Sequence, residues 1–263
     1  MTPWILLTAA ALVALLYADR TANANVAFVA KPAASAGFIA AALALGALDS
    51  TYGQVLLGGL VLSAVGDVCL LGRSRPAFLS GLGAFLAAHL VYIYAFWTRG
   101  VTTDTAMAGA LVLTGVGIPI ARWLLPKVET GLRAPVIGYM VAITVMVAFA
   151  FGTLDTPGGW VVLLGAAAFY GSDISVAVDR FAGGSFGNRL WGLPLYYAAQ
   201  LILASTIATA GTTSVAACCA NGCSLDDTAA AAAIVGDPAG VLRPSAPPAE
   251  AADANGNTED GSN

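Results

Sequence analysis

Residues 52–71 read YGQVLLGGLVLSAVGDVCLL, an apolar run with a single charge at Asp67. A helix of this length covers the roughly 30 Å of hydrocarbon in a bilayer, because it rises about 1.5 Å per residue. The whole chain has the same character, since 58% of its 263 residues are hydrophobic, only 10% are charged and the mean hydropathy is +0.80. A soluble domain is therefore excluded, and the sequence predicts an all-α membrane protein.

Seven further apolar runs of this kind occur along the chain, separated by short polar loops. The eight predicted spans are Thr2–Ala18, Pro32–Leu48, Tyr52–Leu71, Ala77–Trp97, Thr105–Leu125, Leu132–Gly152, Gly159–Val178 and Leu190–Gly211. Because short loops place consecutive helices side by side and antiparallel, we predict one polytopic helical bundle over residues 1–211.

Basic residues are distributed unevenly between the two ends of this predicted bundle. The odd-numbered loops hold nine of them: Arg20, Lys31, Arg73, Arg75, Arg122, Lys127, Arg133, Arg180 and Arg189. The even-numbered loops hold only Arg99. Because Lys and Arg are enriched in cytoplasmic loops, both termini are predicted to be extracytoplasmic.

The segment after residue 211 has a different composition. It is rich in Ala, Pro, Asp, Asn and Gly, and it has too few large apolar residues to form a core. We predict that residues 212–263 form a disordered acidic tail. Cys218, Cys219 and Cys223 in this tail have two interpretations, an incidental cluster or a disulfide between two of them on an oxidising side of the membrane.

Three titratable residues remain within the predicted spans once the charges in loops, at helix ends and in the tail are set aside. They are Asp67 in the third span, His89 in the fourth and Asp173 in the seventh, and no Lys, Arg or Glu is predicted in the middle of a span. An ionised aspartate at the bilayer centre costs about 2.5–3.5 kcal/mol, so such a residue is expected to have a partner or a function. Since the two aspartates lie at similar distances from the basic loops, we predict that they share one cavity. A purely structural role in helix packing is the alternative for each of the three.

Several classes of function are excluded by the residues present. Residues 1–211 contain 10 Lys and Arg against 8 Asp and Glu, so no basic domain exists to bind nucleic acid. A single histidine cannot build a multi-histidine metal site, and we predict neither a metal nor another cofactor. A glutamate-dependent intramembrane protease is excluded because Glu129, Glu250 and Glu259 all lie outside the predicted spans.

Five short stretches contain polar or small residues within the apolar spans. They are residues 62–71 (LSAVGDVCLL), 78–83 (FLSGLG), 87–92 (AAHLVY), 172–173 (SD) and 196–200 (YYAAQ). Together they resemble the YhhN family of multi-span membrane proteins, which includes the lysoplasmalogenases. The resemblance covers most of residues 1–211 and none of the tail. It implies an eight-helix bundle, a lysophospholipid substrate, and hydrolysis of the vinyl ether bond of lysoplasmalogens to a fatty aldehyde and a glycerophospho-alcohol.

Two aspartates suit this chemistry. Protonation of the β-carbon of an enol ether forms an oxocarbenium ion, which water then captures. Paired carboxyls in a desolvated cavity divide into one protonated and one ionised group, so one can supply the proton while the other supports the cation and the water. We therefore predict Asp67 and Asp173 as the catalytic residues.

Further polar residues are candidates for substrate binding or for support of this pair. They are His89, Tyr92, Tyr196, Gln200, Arg73 and Arg189. Arg75 and Arg180 lie in the same basic loops and are additional candidates to bind the substrate phosphate. The first explanation for the presence of these arginines is that they set the orientation of the chain in the membrane, and phosphate binding is the second.

An alternative function uses the same two aspartates. A small proton-coupled transporter or a lipid-binding membrane protein would also keep intramembrane carboxyls, and the likeness between residues 66–73 and 172–180 hints at a parallel duplication. In either case we expect a multi-pass protein embedded in a lipid bilayer, in the bacterial inner membrane. The sequence leaves open the oligomeric state and the preferred headgroup.

Overall fold

The computed structural model describes residues 1–72 and 74–210, and all regular structure in these residues is helical. The eight α-helices are α1 (Thr2–Thr21), α2 (Ala24–Ala44), α3 (Thr51–Cys69), α4 (Arg75–Arg99), α5 (Thr103–Leu124), α6 (Thr130–Gly152), α7 (Gly159–Phe181) and α8 (Phe186–Ser205). Each is long and apolar enough to cross a membrane, which confirms the eight predicted spans. The prediction for the tail and its cysteines lies outside the described residues, as does Arg73.

Polar side chains define the start of several helices. Ser50 accepts a hydrogen bond from the Gly53 amide at 3.0 Å, and Ser74 accepts one from the Ala77 amide at 3.2 Å. Such N-caps satisfy amide groups that have no partner within the helix, which matters most where the helix end meets the bilayer.

The second helix begins earlier than predicted. Asn23 caps it by accepting a hydrogen bond from the Val26 amide at 3.3 Å, so the helix starts at Ala24 rather than at Pro32. Pro32 lies inside the helix, a position that membrane helices tolerate. Consequently Lys31 is not a loop residue, and the prediction that no lysine lies in the middle of a span is wrong.

Six helices form a ring, in which α2, α3, α4, α6, α7 and α8 follow one another and α8 returns to α2. The first helix packs outside the ring on α2 and α8, and α5 packs outside it on α6. Small residues permit the closest approach, because a Cβ at Gly59 would overlap the Tyr92 ring. Gly59, Ser63 and Asp67 are all buried along one face of α3, because they lie four residues apart.

Large apolar side chains cover the outside of the bundle. Val29 and Leu111 are among the most exposed residues, which is the expected arrangement where the surrounding solvent is lipid. The buried centre is rich in aromatic residues, including Phe38, Phe96 and Phe169. The helical ring therefore provides a rigid frame around the polar side chains described next.

Candidate functional site

A cavity of about 470 Å³ is lined by residues of all eight helices and lies toward the end of the bundle that carries the odd-numbered loops. This volume is within the range of small-molecule sites. Charged residues at the ends of α1, α7 and α8 form its rim, which we call the mouth: Asp19, Asp179, Arg180 and Arg189. Apolar residues of α5 and α6 line the interior, among them Ile120, Leu124, Val136, Met140 and Ile143.

Asp67 lies on the cavity wall and is held by three side chains. Its Oδ2 accepts hydrogen bonds from the Ser35 hydroxyl at 2.8 Å and from the Tyr196 hydroxyl at 2.7 Å. Its Oδ1 lies 3.3 Å from the Lys31 ammonium. The carboxyl is nearly inaccessible, since only 3% of its side chain is exposed, and the partners come from α2 and α8.

Asp173 lies on the wall of the same cavity with a different set of neighbours. Its Oδ2 accepts a hydrogen bond from the Tyr139 hydroxyl at 2.6 Å. The His89 Nε2 lies 3.6 Å from the same oxygen, which is longer than a hydrogen bond. Among the described residues, Asp173 forms no ion pair with a lysine or arginine and no hydrogen bond to Asp67. The two carboxyls thus line one cavity without a hydrogen bond between them.

Three of the predicted supporting residues lie behind the cavity wall. Tyr92 donates a hydrogen bond to the Gln200 Oε1 at 2.9 Å, and both side chains are fully buried in the core. His89 is also fully buried, with its ring packed against Tyr139 and Phe169 at centroid distances of 5.1 and 4.9 Å. Tyr196 is the exception among the predicted tyrosines, because it lines the cavity and contacts Asp67 directly.

The arginines of the basic end differ in their partners. Arg189 is held by Asp19 at 3.0 Å and by Asp179 at 2.9 Å, so its charge is already paired. Arg180 lines the cavity with its guanidinium 4.3 Å above the centroid of the Phe78 ring, and within the described part of the chain it forms no ion pair. Arg75 lies off the cavity wall, exposed and 3.9 Å from Glu129.

Residues 26–207 match the YhhN family. The chain belongs to this family. Among curated relatives, human lysoplasmalogenase TMEM86B is 34% identical over 154 residues, which are 58% of this chain and 62% of the relative. The mouse lysoplasmalogenase TMEM86B is 36% identical over 152 residues, 57% of this chain and 61% of that protein. The lysoplasmalogenase of Mycobacterium tuberculosis is 32% identical over 155 residues, 56% of this chain and 58% of that protein.

These matches span about 60% of the length of the curated relatives. No solved structure matches the chain significantly. Family membership and the eight apolar helices together make this YhhN chain an integral, multi-pass membrane protein. No group of three or more His, Cys, Asp or Glu residues in the described part of the chain is arranged to hold a metal ion.

Three residues that contact the two aspartates are not predicted from the sequence: Lys31, Ser35 and Tyr139. The sequence places Lys31 in a loop because it precedes Pro32, although Lys31 and Ser35 lie one turn apart on α2, a spacing that lets two side chains contact one partner. Tyr139 lies in an apolar span, and apart from its own hydroxyl nothing in the sequence indicates a functional residue at this position. All three contact the aspartates that the sequence does identify.

Proposed function

We propose that this YhhN chain hydrolyses the vinyl ether bond of lysoplasmalogens, releasing a fatty aldehyde and a glycerophospho-alcohol. The observation that carries the proposal is the pair of intramembrane carboxyls, Asp67 and Asp173, on the wall of one cavity with a charged mouth. The names of the curated relatives support the same reaction. A lysophospholipid suits the cavity, because its headgroup would remain at the polar rim while its chain enters the apolar interior.

The reaction needs one proton donor and one carboxylate. The donor protonates the β-carbon of the vinyl ether, which turns the C=C bond into an oxocarbenium ion. Water adds to the cationic carbon and gives up a proton to the second carboxylate, which restores the total number of protons on the pair. The hemiacetal then breaks its C–O bond to the glycerol oxygen, which takes the hydroxyl proton as the aldehyde forms. Asp67 and Asp173 perform these two roles in our proposal.

Among the basic residues, Arg180 is the favoured ligand for the substrate phosphate. It lines the cavity at the mouth, and its donors have no carboxylate partner in the described part of the chain. A guanidinium in such a position can form a charge-assisted, bidentate contact with a phosphate. Arg189 is less available because Asp19 and Asp179 already accept its hydrogen bonds.

The decisive experiment is an assay of detergent-purified protein on matched vinyl ether, alkyl ether and ester lysolipids. We expect aldehyde release from the vinyl ether lipid alone, with slower turnover in heavy water because a proton is transferred to carbon. Release of free fatty acid from the ester lipid, or no turnover of any of them, would refute the proposal. Uptake of a solute into vesicles without aldehyde release would favour the transporter alternative.

We also propose that the mouth faces the cytoplasm. Even with Lys31 placed inside α2, the basic residues remain concentrated at the mouth end of the bundle. A reporter that is active only outside the cytoplasm, fused after residue 211, is expected to be active in cells. Activity of a cytoplasm-specific reporter at the same position would reverse the orientation.

A further inference from the structure

The two halves of the bundle repeat one pattern of helix packing. In the first half, α1 packs on α2, α2 on α3 and α3 on α4; in the second half, α5 packs on α6, α6 on α7 and α7 on α8. The contacts between the halves also correspond, because α2 packs on α8 and α6 packs on α4. In both cases the second helix of one half meets the fourth helix of the other. The extra contacts of α8 with α1 and α3 have no counterpart of similar extent.

The two carboxyls occupy equivalent places in this pattern. Asp67 lies on α3 and Asp173 lies on α7, the third helix of each half. Each accepts a hydrogen bond from the second helix of its own half, Asp67 from Ser35 on α2 and Asp173 from Tyr139 on α6. The fourth helix of the opposite half then supplies one more neighbour to each carboxyl.

These fourth-helix neighbours are Tyr196 on α8, which faces Asp67, and His89 on α4, which faces Asp173. The chain lengths that separate Asp67 from Asp173 and His89 from Tyr196 are nearly equal. The two carboxyl centres therefore occupy equivalent positions in the packing pattern that the two four-helix halves share.

One residue makes the two centres chemically different. Lys31 lies one turn before Ser35 on α2, with its ammonium 3.3 Å from Asp67 and only 13% of its side chain exposed. One turn before Tyr139 on α6, the corresponding residue is Pro135, which carries no charge. Asp67 thus faces a cation together with two hydroxyls, whereas Asp173 faces a hydroxyl and an imidazole.

We propose that Lys31 is a positioning residue that holds Asp67 as the anionic member of the pair, so that Asp173 supplies the proton. This inference rests on the proposed function, because it assigns the two roles left unassigned there. An ammonium next to a buried carboxylate compensates its charge, and loss of the partner leaves the remaining charge unpaired in a medium of low dielectric constant. Asp67 would then support the oxocarbenium ion and accept the proton of water, while Asp173 protonates the β-carbon.

The first test compares Lys31→Met with Lys31→Arg in the full-length protein, using turnover of a lysoplasmenyl lipid. Lys31→Met is expected to lower kcat on the order of 100-fold, with KM changed less than about 3-fold, because the phosphate and the chain are bound elsewhere. Lys31→Arg keeps the charge and should recover most of kcat. Wild-type kcat in Lys31→Met would overturn the proposal, as would equal losses in folded Lys31→Arg and Lys31→Met, which would indicate a role for shape alone.

The second test does not depend on activity. Lys31→Met is expected to lower the thermal unfolding temperature in detergent, because the charge of Asp67 loses its partner. Adding Asp67→Asn should restore much of this loss, whereas adding the matched change Asp173→Asn should not. Equal restoration by both aspartate changes, or by neither, would overturn the pairing. If Asp67→Asn restores the unfolding temperature and Asp173→Asn does not, but wild-type protein does not cleave lysoplasmenyl lipid, the Lys31–Asp67 charge pair is supported. The proposed function, and with it the positioning role of Lys31 in the reaction, is then refuted.

Discussion

Arginine side chains lie at the mouth of the cavity and at the opposite end of the bundle. We call this opposite end the closed end, because no described residue of its loops lines the cavity. The surroundings of the arginines differ between the two ends. At the closed end, Arg99 donates hydrogen bonds to the Thr206 carbonyl at 3.0 Å, to the Thr209 hydroxyl at 2.7 Å and to the Pro157 carbonyl. Its guanidinium also lies 4.9 Å above the centroid of the Tyr52 ring. This one side chain connects the end of α4 to the residues that follow α8 and to the loop before α7.

At the mouth, Arg180 is exposed and rests on the Phe78 ring. An arginine whose donors are occupied by carbonyl and hydroxyl oxygens contributes to stability, whereas one whose donors remain available can bind an anionic ligand. Stability and ligand binding are therefore expected to depend on arginines at opposite ends of the bundle. Changes at the closed end should alter stability alone, and changes around the cavity should alter turnover or substrate affinity.

The largest expected effect is at the carboxyls. Asp67→Asn and Asp173→Asn should each lower kcat about 1000-fold, and the double variant should be scarcely worse, because groups that act as a unit are not additive. Asn preserves shape but neither donates an acidic proton nor carries charge. Asp155→Asn, an exposed residue of the closed end, is the matched control and should keep full activity. Substantial turnover in a folded Asn variant would remove that aspartate from the mechanism.

The next largest effect is expected on stability. Arg99→Met removes several charge-assisted hydrogen bonds and should lower the free energy of unfolding by about 3 kcal/mol, with kcat and KM of the surviving folded protein unchanged. Arg122→Met removes the same charge from an exposed position of α5 and should have little effect. Chemical denaturation in detergent provides the measurement. A loss of turnover without a loss of stability in Arg99→Met would contradict the expectation that changes at the closed end alter stability alone.

The number of helices followed from the sequence because hydropathy reports directly on the lipid solvent. The two aspartates followed as well, since a carboxyl within an apolar run is conspicuous. The start of α2 does not follow, because Lys31 and Pro32 resemble the end of a loop, whereas the Asn23 cap decides the boundary. The sequence therefore places Lys31 among the loop residues and does not indicate that it is a partner of Asp67.

The orientation of the supporting side chains was harder to predict. On a helix that is apolar all round, sequence spacing gives little information about which face meets the cavity. Tyr196 and Gln200 lie one turn apart on α8, yet Tyr196 reaches the cavity whereas Gln200 bonds to Tyr92 behind its wall. Packing with neighbouring helices decides this rotation, and a single sequence does not contain it.

Substrate affinity should respond to the mouth. If Arg180 binds the phosphate, Arg180→Gln is expected to raise KM about 10-fold while kcat changes little, since the contact is made in both the bound substrate and the transition state. Arg75→Gln is the control, because Arg75 lies off the cavity wall in an exposed pair with Glu129. Equal KM values for the two variants would show that Arg180 does not bind the phosphate. Arg180 would then serve only to orient the chain in the membrane, like the other loop arginines.

The smallest effect on kcat is expected for a change at His89. Comparing it with a change at Tyr139 tests the two neighbours of Asp173. His89 is fully buried behind the cavity wall and its Nε2 lies 3.6 Å from the carboxyl, whereas the Tyr139 hydroxyl donates to it at 2.6 Å. His89→Gln should therefore lower kcat only about 3-fold, and Tyr139→Phe, which removes the shorter hydrogen bond, about 10-fold. KM should remain unchanged in both, because neither side chain is placed to meet the headgroup. If His89→Gln proves as damaging to kcat as Asp173→Asn while the protein stays folded, the imidazole must approach the carboxyl during turnover, and the proton donor would be the His89 and Asp173 pair rather than Asp173 alone.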